Sequence, residues 1–448
     1  MDEFFKAGRV VKIACFLLLN FFMLIAAYGQ QYKNDSLLSV ATLQNVIQYS
    51  IQKNPSLKNA GLQQQITETV IRSKLAEWYP QLNFNYSLQY NFQLPVINFN
   101  GQSITTGFQN TSGAQLGATQ SIFNKDVLLA SRTATDIRLQ SAQNTTQQKI
   151  AIASAVSKAY YDIVLTIQQL QVIDQEINRI STSLKDATYR YQSGIVDKTD
   201  YKRATISLNN ARAQKKNGNE SLLAKYAFLK ELMGYPSEGN LQLSYDTLQM
   251  KRDIFVDTLQ PVNLNNRIEF QLLQTQKNLL QYNLKYNQWS YLPNVSAFGN
   301  YNLNFQNNNF SKVYGKAYPN SFAGILLSLP ILQGGKRIWL VKQSRLQLEQ
   351  VDNSISSIAN TINSQYQRAI ASYKSNLFSY FVQQENMSLA QEVYEVIQLQ
   401  YKSGIKTYLE VINSETDLRT SQINYYNALY QVLSSKVDVE QSLGNLIY

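Results

Sequence analysis

Two long segments without proline or glycine constrain the fold of this chain most strongly. Residues 125–193 form one run of sixty-nine residues, and residues 336–403 form a second run of sixty-eight. In the first run, apolar residues recur at intervals of three and four, as on one face of an amphipathic helix. They are Val156, Tyr160, Ile163, Ile167, Leu170, Ile173, Ile177, Ile180 and Leu184. Because an α-helix rises 1.5 Å per residue, each run predicts a rod of about 100 Å, which no compact domain could contain.

A second informative segment, residues 81–94, alternates polar and apolar residues at every position. A period of two predicts a strand with one apolar and one polar face. Soluble strands usually have about 5–6 residues, whereas a strand that crosses a bilayer needs about 9–11. The segment therefore favours a membrane strand, although by itself it leaves open a long strand of a soluble sandwich.

The same order of segments occurs twice along the chain. In each half, a helical pattern ends shortly before a proline, Pro80 or Pro293, and extended segments and a long run follow. The long runs break at 191–195 and 401–405, which share the pattern Tyr-x-Ser-Gly-Ile with x as one residue and are offset by 210 residues. This spacing predicts a two-fold internal repeat.

The predicted organisation begins with a secretory signal peptide, because basic residues precede an apolar run at 13–27. The predicted parts are a signal peptide at 1–29, a first repeat at 30–234, a connector at 235–262 and a second repeat at 263–448. The predicted strands lie at about 81–94, 114–123, 294–306 and 321–332, with loops at 95–113 and 306–321, and the long helices lie at about 125–193 and 336–403.

Composition excludes many kinds of chemistry. The chain has no histidine, and its one cysteine, Cys15, lies in the predicted signal peptide. Zinc and copper sites of the usual ligands, a Ser-His-Asp triad and a thiol nucleophile all require residues that the mature chain lacks. We therefore expect no metal, no cofactor and no enzymatic activity. The net charge of +11 is scattered along the chain, which predicts solvated helix faces and no nucleic-acid partner.

The predicted strands cannot form a membrane barrel from one chain. No segment after residue 30 offers about 20 consecutive apolar residues, so any membrane-spanning segments would be strands. Four strands leave two unpaired edges, which hydrocarbon does not tolerate, and such barrels start at eight strands. Two chains would supply eight strands and three would supply twelve. The predicted fold class is an α-helical tube joined to a transmembrane β-barrel.

At this point the chain resembles the TolC-like outer membrane efflux proteins over essentially its whole mature length. The resemblance rests on the two-fold repeat, the Pro80 and Pro293 strand entries, the Leu-Ser-Leu-Pro-Ile-Leu-Gln-Gly-Gly run at 327–335, and the Tyr-x-x-Gly turns that begin at 191 and 401. It implies a homotrimer with a twelve-stranded barrel among outer membrane lipids. It also implies a helical tunnel that extends through the periplasm and docks an inner-membrane transporter through a periplasmic adaptor.

One segment departs from the family pattern. At Ser121-Ile122-Phe123, just before the predicted start of the first long helix, the family usually has a proline that this chain lacks. The resemblance also implies that the two glycine turns form the periplasmic tip. Adaptor contact is expected at Gly194, Ile195, Gly404 and Ile405. The alternative is that the glycines only turn the chain.

The resemblance further implies a periplasmic gate. Thr199 and Asp200 match a threonine-aspartate pair there, and Tyr401 and Lys406 match the tyrosine and arginine that clasp it. Because lysine lacks the planar fork of arginine, an Asp200–Lys406 pair in a wet tunnel would contribute only about 0–1 kcal/mol.

Two further positions correspond to a pair of aspartates that face the pore in a well-known member of the family. They are occupied here by Glu410 and Asn413, three residues apart on one helix face. In a trimer, Glu410 would form a ring of three carboxylates that attracts cations, and Asn413 would leave a second ring uncharged. An ordinary solvated helix face is the alternative interpretation.

The expected function is a passive exit duct in the outer membrane for small molecules, driven by an inner-membrane pump through the adaptor. The exit duct of a type I protein secretion system is an alternative within the same class. A secreted enzyme using paired carboxylates, or a soluble coiled-coil spacer, is an alternative from another class.

Overall fold

The structure, a computed structural model, describes residue 38 and residues 40–194 and 197–446. The predicted signal peptide at 1–29 therefore lies outside the described residues. The helices are α1 (Leu43–Lys53), α2 (Pro55–Ala76), α3 (Lys125–Gln192), α4 (Lys198–Met233), α5 (Thr247–Arg252), α6 (Ile268–Trp289), α7 (Lys336–Lys402) and α8 (Tyr408–Leu443). The strands are β1 (Gln81–Tyr90), β2 (Val96–Phe99), β3 (Gln102–Thr105), β4 (Asn110–Phe123), β5 (Asn294–Asn307) and β6 (Ala317–Ser328).

The two longest helices, α3 and α7, have 68 and 67 residues and follow the two proline-free and glycine-free runs. Local signals account for the ends of α3. The Asn124 side chain accepts a hydrogen bond from the Asp126 N–H at the start, and Gly194 adopts a φ of +71° just after the end. Along α3 the predicted apolar seam is largely buried, with Val156 and Ile163 at 0% exposure. Burial of this seam against the other helices is what stabilises so long a rod.

One window of α3 is long and apolar enough, by composition alone, to cross a membrane, although the sequence predicted no such segment. Burial explains the difference, because 56% of that window is buried inside the protein. A helix packed on several sides needs apolar residues on more than one face.

Four strands form one antiparallel sheet in the order β1-β4-β5-β6. The register aligns Phe84 with Leu116 and Leu116 with Tyr301, and a bulge between Ser121 and Phe123 marks the end of β4. Within the residues that the structure describes, β1 and β6 each have a partner on one side only. The apolar side chains of β1 are exposed, including Leu82 at 70% and Phe84 at 68%.

The strand ends differ from the predicted ones in the first half. The predicted loop at 95–113 contains the β2–β3 hairpin, and β4 begins at Asn110, before the predicted residue 114. Side-chain amides explain the earlier start. Asn91 Nδ2 donates to the Phe108 carbonyl at 2.8 Å, and Asn110 Nδ2 donates to the Asn307 carbonyl at 3.2 Å. β1 ends at Tyr90, short of the predicted Leu94.

The last strand is displaced toward the N-terminus relative to the prediction of 321–332. It runs from Ala317 to Ser328 and includes Pro319, which the sequence analysis placed in a loop. Proline is tolerated in an edge strand because its missing N–H faces away from the partner strand. Pro330 lies two residues beyond the end of the strand.

Tyrosines of α7 hold the connector between the two halves. The Tyr373 hydroxyl donates to the Ile254 carbonyl at 2.9 Å, and the Tyr366 hydroxyl donates to the Gln260 carbonyl at 2.7 Å. The connector is therefore fastened along the side of a long helix and contains only one short helix, α5.

Candidate functional site

The two predicted tip turns connect α3 with α4 and α7 with α8. Gly194 and Gly404 have φ angles of +71° and +78°, which favour glycine, and a methyl group at either position would meet open space. The Ile405 side chain is 72% exposed. Ile195 lies outside the described residues. A side chain at either glycine would thus meet backbone strain but no clash, and the second turn exposes an apolar side chain.

One side-chain and one backbone hydrogen bond to Asp197 lie at the start of α4. Thr199 Oγ1 donates to Asp197 Oδ2 at 3.0 Å, and the Asp200 N–H donates to the Asp197 carbonyl at 3.3 Å. Thr199 is exposed and Asp200 is half-buried. The predicted threonine-aspartate pair therefore lies in the first turn of the helix that follows the tip.

A capping box begins α8 at the second turn. The Glu410 N–H donates to Thr407 Oγ1 at 3.4 Å, and the Thr407 N–H donates to Glu410 Oε2 at 2.9 Å. Glu410 is thus part of the local structure that starts the helix. Asn413, one turn further along, is exposed.

The predicted pair between Asp200 and Lys406 does not form within the described part of this chain. Instead, Lys406 Nζ donates to Glu410 Oε1 at 2.6 Å. The two residues are four apart at the helix start, so this local pair costs less conformational entropy than a contact between two hairpins. The Lys406 hydrogen bond, together with the Thr407 N–H, lowers the pKa of the Glu410 carboxyl.

Tyr401 was predicted to clasp the Thr199–Asp200 pair, but among the described residues its buried hydroxyl has no hydrogen-bond partner. Its ring lies 5.0 Å from the Arg190 guanidinium carbon and 5.8 Å from the Tyr408 ring centroid. Burial raises the pKa of the Tyr401 phenol; Arg190 opposes this rise, and the charge of Asp200 adds to it. The Asp200 carboxylate therefore lies close enough to the Tyr401 phenol to affect its pKa.

Arg190 is the functional candidate that the sequence analysis missed. It lies in the last turn of α3, four residues before Gly194. A planar arginine is the residue type that the gate position at Lys406 lacks. Its place in the last turn before the glycine was the signal that could have identified it.

Nothing in the described ranges resembles a metal centre: no three or more His, Cys, Asp or Glu side chains come close enough together to hold an ion. The candidate site is therefore a set of polar contacts at helix ends, which can change by movement of the hairpins.

The sequence matches the family described as "Outer membrane efflux protein" over residues 46–235 and 262–445. The outer membrane protein TolC of Escherichia coli strain K12 is 24% identical over 437 residues, which cover 92% of this chain and 84% of that protein. The alkaline protease secretion protein AprF of Pseudomonas aeruginosa is 19% identical over 332 residues, which cover 71% of this chain and 67% of that protein.

A solved structure has a similar fold. The crystal structure of the open state of the MtrE outer membrane channel of Neisseria gonorrhoeae superimposes with a TM-score of 0.73 at 16% identity and covers 94% of this chain and 96% of that one. The family match spans both halves of the chain, so the resemblance predicted from the sequence is confirmed. The chain belongs to the outer membrane efflux protein family and is a channel protein of the bacterial outer membrane that extends into the periplasm.

Proposed function

We propose that three copies of this chain assemble into one twelve-stranded barrel, continued by a tube of long helices built from a two-fold repeat. The unpaired edges of β1 and β6 carry this proposal. An open edge is not tolerated in hydrocarbon, and four strands are too few to close a barrel. The exposed apolar residues of β1 would face lipid, and its amide-rich face would line a water-filled lumen.

The assembled tube would act as a passive exit duct for small molecules. An inner-membrane pump would supply the energy, and a periplasmic adaptor would connect the pump to the duct. The family match and the similarity to TolC support this function. In this assembly, residues 30–234 and 263–448 would be the two repeats and residues 235–262 the connector.

The adaptor would bind at the tip turns, through Gly194, Ile195, Gly404 and Ile405. The exposure of Ile405 supports this assignment, because a large apolar side chain at the end of a hairpin is more stable when a partner covers it. Neither described glycine would obstruct an approaching chain, since nothing lies within 4 Å of an added methyl group.

The gate would lie just beyond the turns, at Thr199, Asp200, Tyr401, Lys406, Glu410 and Asn413. The Lys406–Glu410 pair changes the expected selectivity of this gate. Three Glu410 carboxylates would still form a ring, but each would carry a lysine at 2.6 Å. We expect weaker attraction of cations than an unpaired ring of carboxylates would give.

Deletion of the gene in the source bacterium tests the function. If the duct serves small molecules, the deletion strain retains a fluorescent efflux substrate, and a plasmid copy of the gene restores its export. Unchanged export from a strain in which no other gene of this family compensates would contradict the proposal.

The same strain distinguishes the second candidate function. The similarity to the alkaline protease secretion protein AprF favours a duct for protein export. In that case, a secreted protein disappears from the culture medium of the deletion strain, while retention of the small fluorescent substrate does not change.

A further inference from the structure

An ionic cluster that neither the sequence analysis nor the proposed gate includes joins the four long helices. It lies among the helices about 10–25 Å from the tip, seven to sixteen residues from the nearest helix ends. We call it the interhelix charge cluster. Its members are Glu176 and Arg179 on α3, Gln214 on α4, Tyr394 on α7, and Glu415 and Arg419 on α8.

Two ion pairs between α3 and α8 form the centre of the interhelix charge cluster. Arg179 Nε donates to Glu415 Oε1 at 2.8 Å, and Arg419 Nη1 donates to Glu176 Oε1 at 3.0 Å. Each helix contributes one carboxylate and one guanidinium group, so the pairs are reciprocal. The two carboxylate side chains are only 4% and 7% exposed.

The other two long helices contact the same guanidinium groups. Arg419 Nη1 lies 3.5 Å from Gln214 Oε1 on α4, and the Arg179 guanidinium carbon lies 5.5 Å from the Tyr394 ring centroid on α7. These contacts would therefore transmit a change in the position of α8 to α3, α4 and α7.

The hydrogen bonding of the interhelix charge cluster is incomplete. Glu176 Oε2 and Arg179 Nη2 are buried and have no hydrogen-bond partner among the described residues. Burial raises the pKa of the carboxyl groups of Glu176 and Glu415, while the arginines oppose this rise. Such a partly satisfied buried cluster is less stable than a fully bonded one and can rearrange.

The packing beside the interhelix charge cluster is open. A cavity of about 350 Å³ separates α8 from α4 at this level, lined on the α4 side by Ser207, Asn210 and Ala213. Glu415 and Arg419 also line it. The ion pairs border this open space, whereas the neighbouring Leu418 packs the same part of α8 into an apolar cluster at 0% exposure.

We propose that the interhelix charge cluster is a latch that holds α8 against α3 and thereby keeps the gate residues of α8 in their resting position. This inference rests on the proposed function as a gated duct. Glu415 is five residues from Glu410, about 7.5 Å along the same helix, so α8 transmits a displacement directly to the gate. The four charged residues are positioning residues, because they do not line the predicted ring of Glu410.

Single-channel recording in planar bilayers tests the latch. Glu415→Gln leaves the buried charge of Arg179 without its partner, which strongly destabilises the closed arrangement. We expect the occupancy of the open state to rise by about tenfold over the wild type. The matched control is Glu220→Gln, which removes one charge of the Lys216–Glu220 pair, whose side chains are 73% and 57% exposed. The control should conduct like the wild type.

A double variant keeps the test valid if Glu415→Gln does not assemble. Arg179→Met with Glu415→Gln removes both charges, so no unpaired buried charge remains. We expect its open-state occupancy to lie above that of the wild type but below the product of the two single effects, because the residues act as a pair. Wild-type occupancy in this variant would overturn the latch.

Three further outcomes are informative. A wild-type channel that is already fully open at rest would also contradict the latch. If the wild type conducts and the latch variants match it, the latch fails and the proposed duct stands. If neither the wild type nor any variant conducts, the proposed function fails, and the latch fails with it.

Discussion

Glu410 caps the first turn of α8 and at the same time binds Lys406. In a trimer its carboxylate would also contribute to a ring around the channel axis. We predict that Glu410→Ala lowers the cation-to-anion permeability ratio and weakens block by divalent cations, because three negative charges leave the constriction. Permeability ratios from reversal potentials across planar bilayers measure this effect. Selectivity and block equal to those of the wild type would rule out the ring.

The exposed Asn413 offers the reciprocal change on the same helix face. Asn413→Asp would add a second ring of three carboxylates one turn away from Glu410. We predict a higher cation-to-anion permeability ratio than that of the wild type in the same recordings. An unchanged ratio would indicate that this face of α8 does not line the channel.

The Lys406–Glu410 pair predicts how selectivity depends on pH. The pair lowers the pKa of the Glu410 carboxyl from its ordinary value of 4.5, so the carboxylate is favoured in the folded state. Its stabilising contribution is present above pH 4.5 and is lost as the pH falls through the lowered pKa. We predict that Lys406→Met moves the midpoint for loss of cation selectivity to higher pH. A midpoint that does not move would contradict the pairing.

The sequence predicted the helical spacing of the proposed gate residues but not their contact partners. The spacing of Glu410 and Asn413 on a helix follows directly from periodicity. Periodicity did not predict the partner of Lys406. A local contact four residues away competes with a contact between two hairpins, and the sequence pattern alone does not decide between them. Arg190 was missed because its contact with Tyr401 joins two residues that are 211 positions apart in the sequence.

At the scale of helices and strands, glycines at helix ends have different surroundings despite similar φ angles. A methyl group at Gly234, where φ is +65°, would lie 2.8 Å from the Lys53 carbonyl oxygen and 2.9 Å from Pro55 Cδ. At Gly404 it would meet nothing within 4 Å. The first glycine is thus required both for its conformation and for close packing of α4 on α1 and α2.

This difference predicts unequal effects on stability. Gly404→Ala should cost about 1–3 kcal/mol from backbone strain alone, and Gly234→Ala should cost more because a clash adds to the strain. Thermal unfolding of the purified protein, followed by circular dichroism at 222 nm, measures both. Equal decreases in Tm for the two variants would contradict the contact at Gly234.

Long helices were easier to predict than strand ends for a physical reason. In α3 and α7 every residue between the flanking signals favours or tolerates helix, so the local sequence decides the boundaries. The start of β4 depends on Asn91 and Asn110, whose side chains bond carbonyls far away in the sequence. Pattern alone does not reveal such bonds.

On the scale of the whole molecule, the sheet is the part that a single chain leaves incomplete. Its outer strands β1 and β6 have one partner each within the described residues, and apolar side chains cover its exposed face. Lipid can solvate that face, but only another strand can pair with the edges. The alternation of residues 81–94 already predicted the two faces, whereas the proposed number of copies rests on the need to close a barrel and on the family resemblance.

In the proposed assembly, three copies close this sheet into a single membrane channel. The most direct test is the protein mass of the detergent-solubilised particle, measured by size-exclusion chromatography with multi-angle light scattering and corrected for bound detergent. We predict three polypeptide chains per particle. A stable folded particle that contains one chain would contradict it.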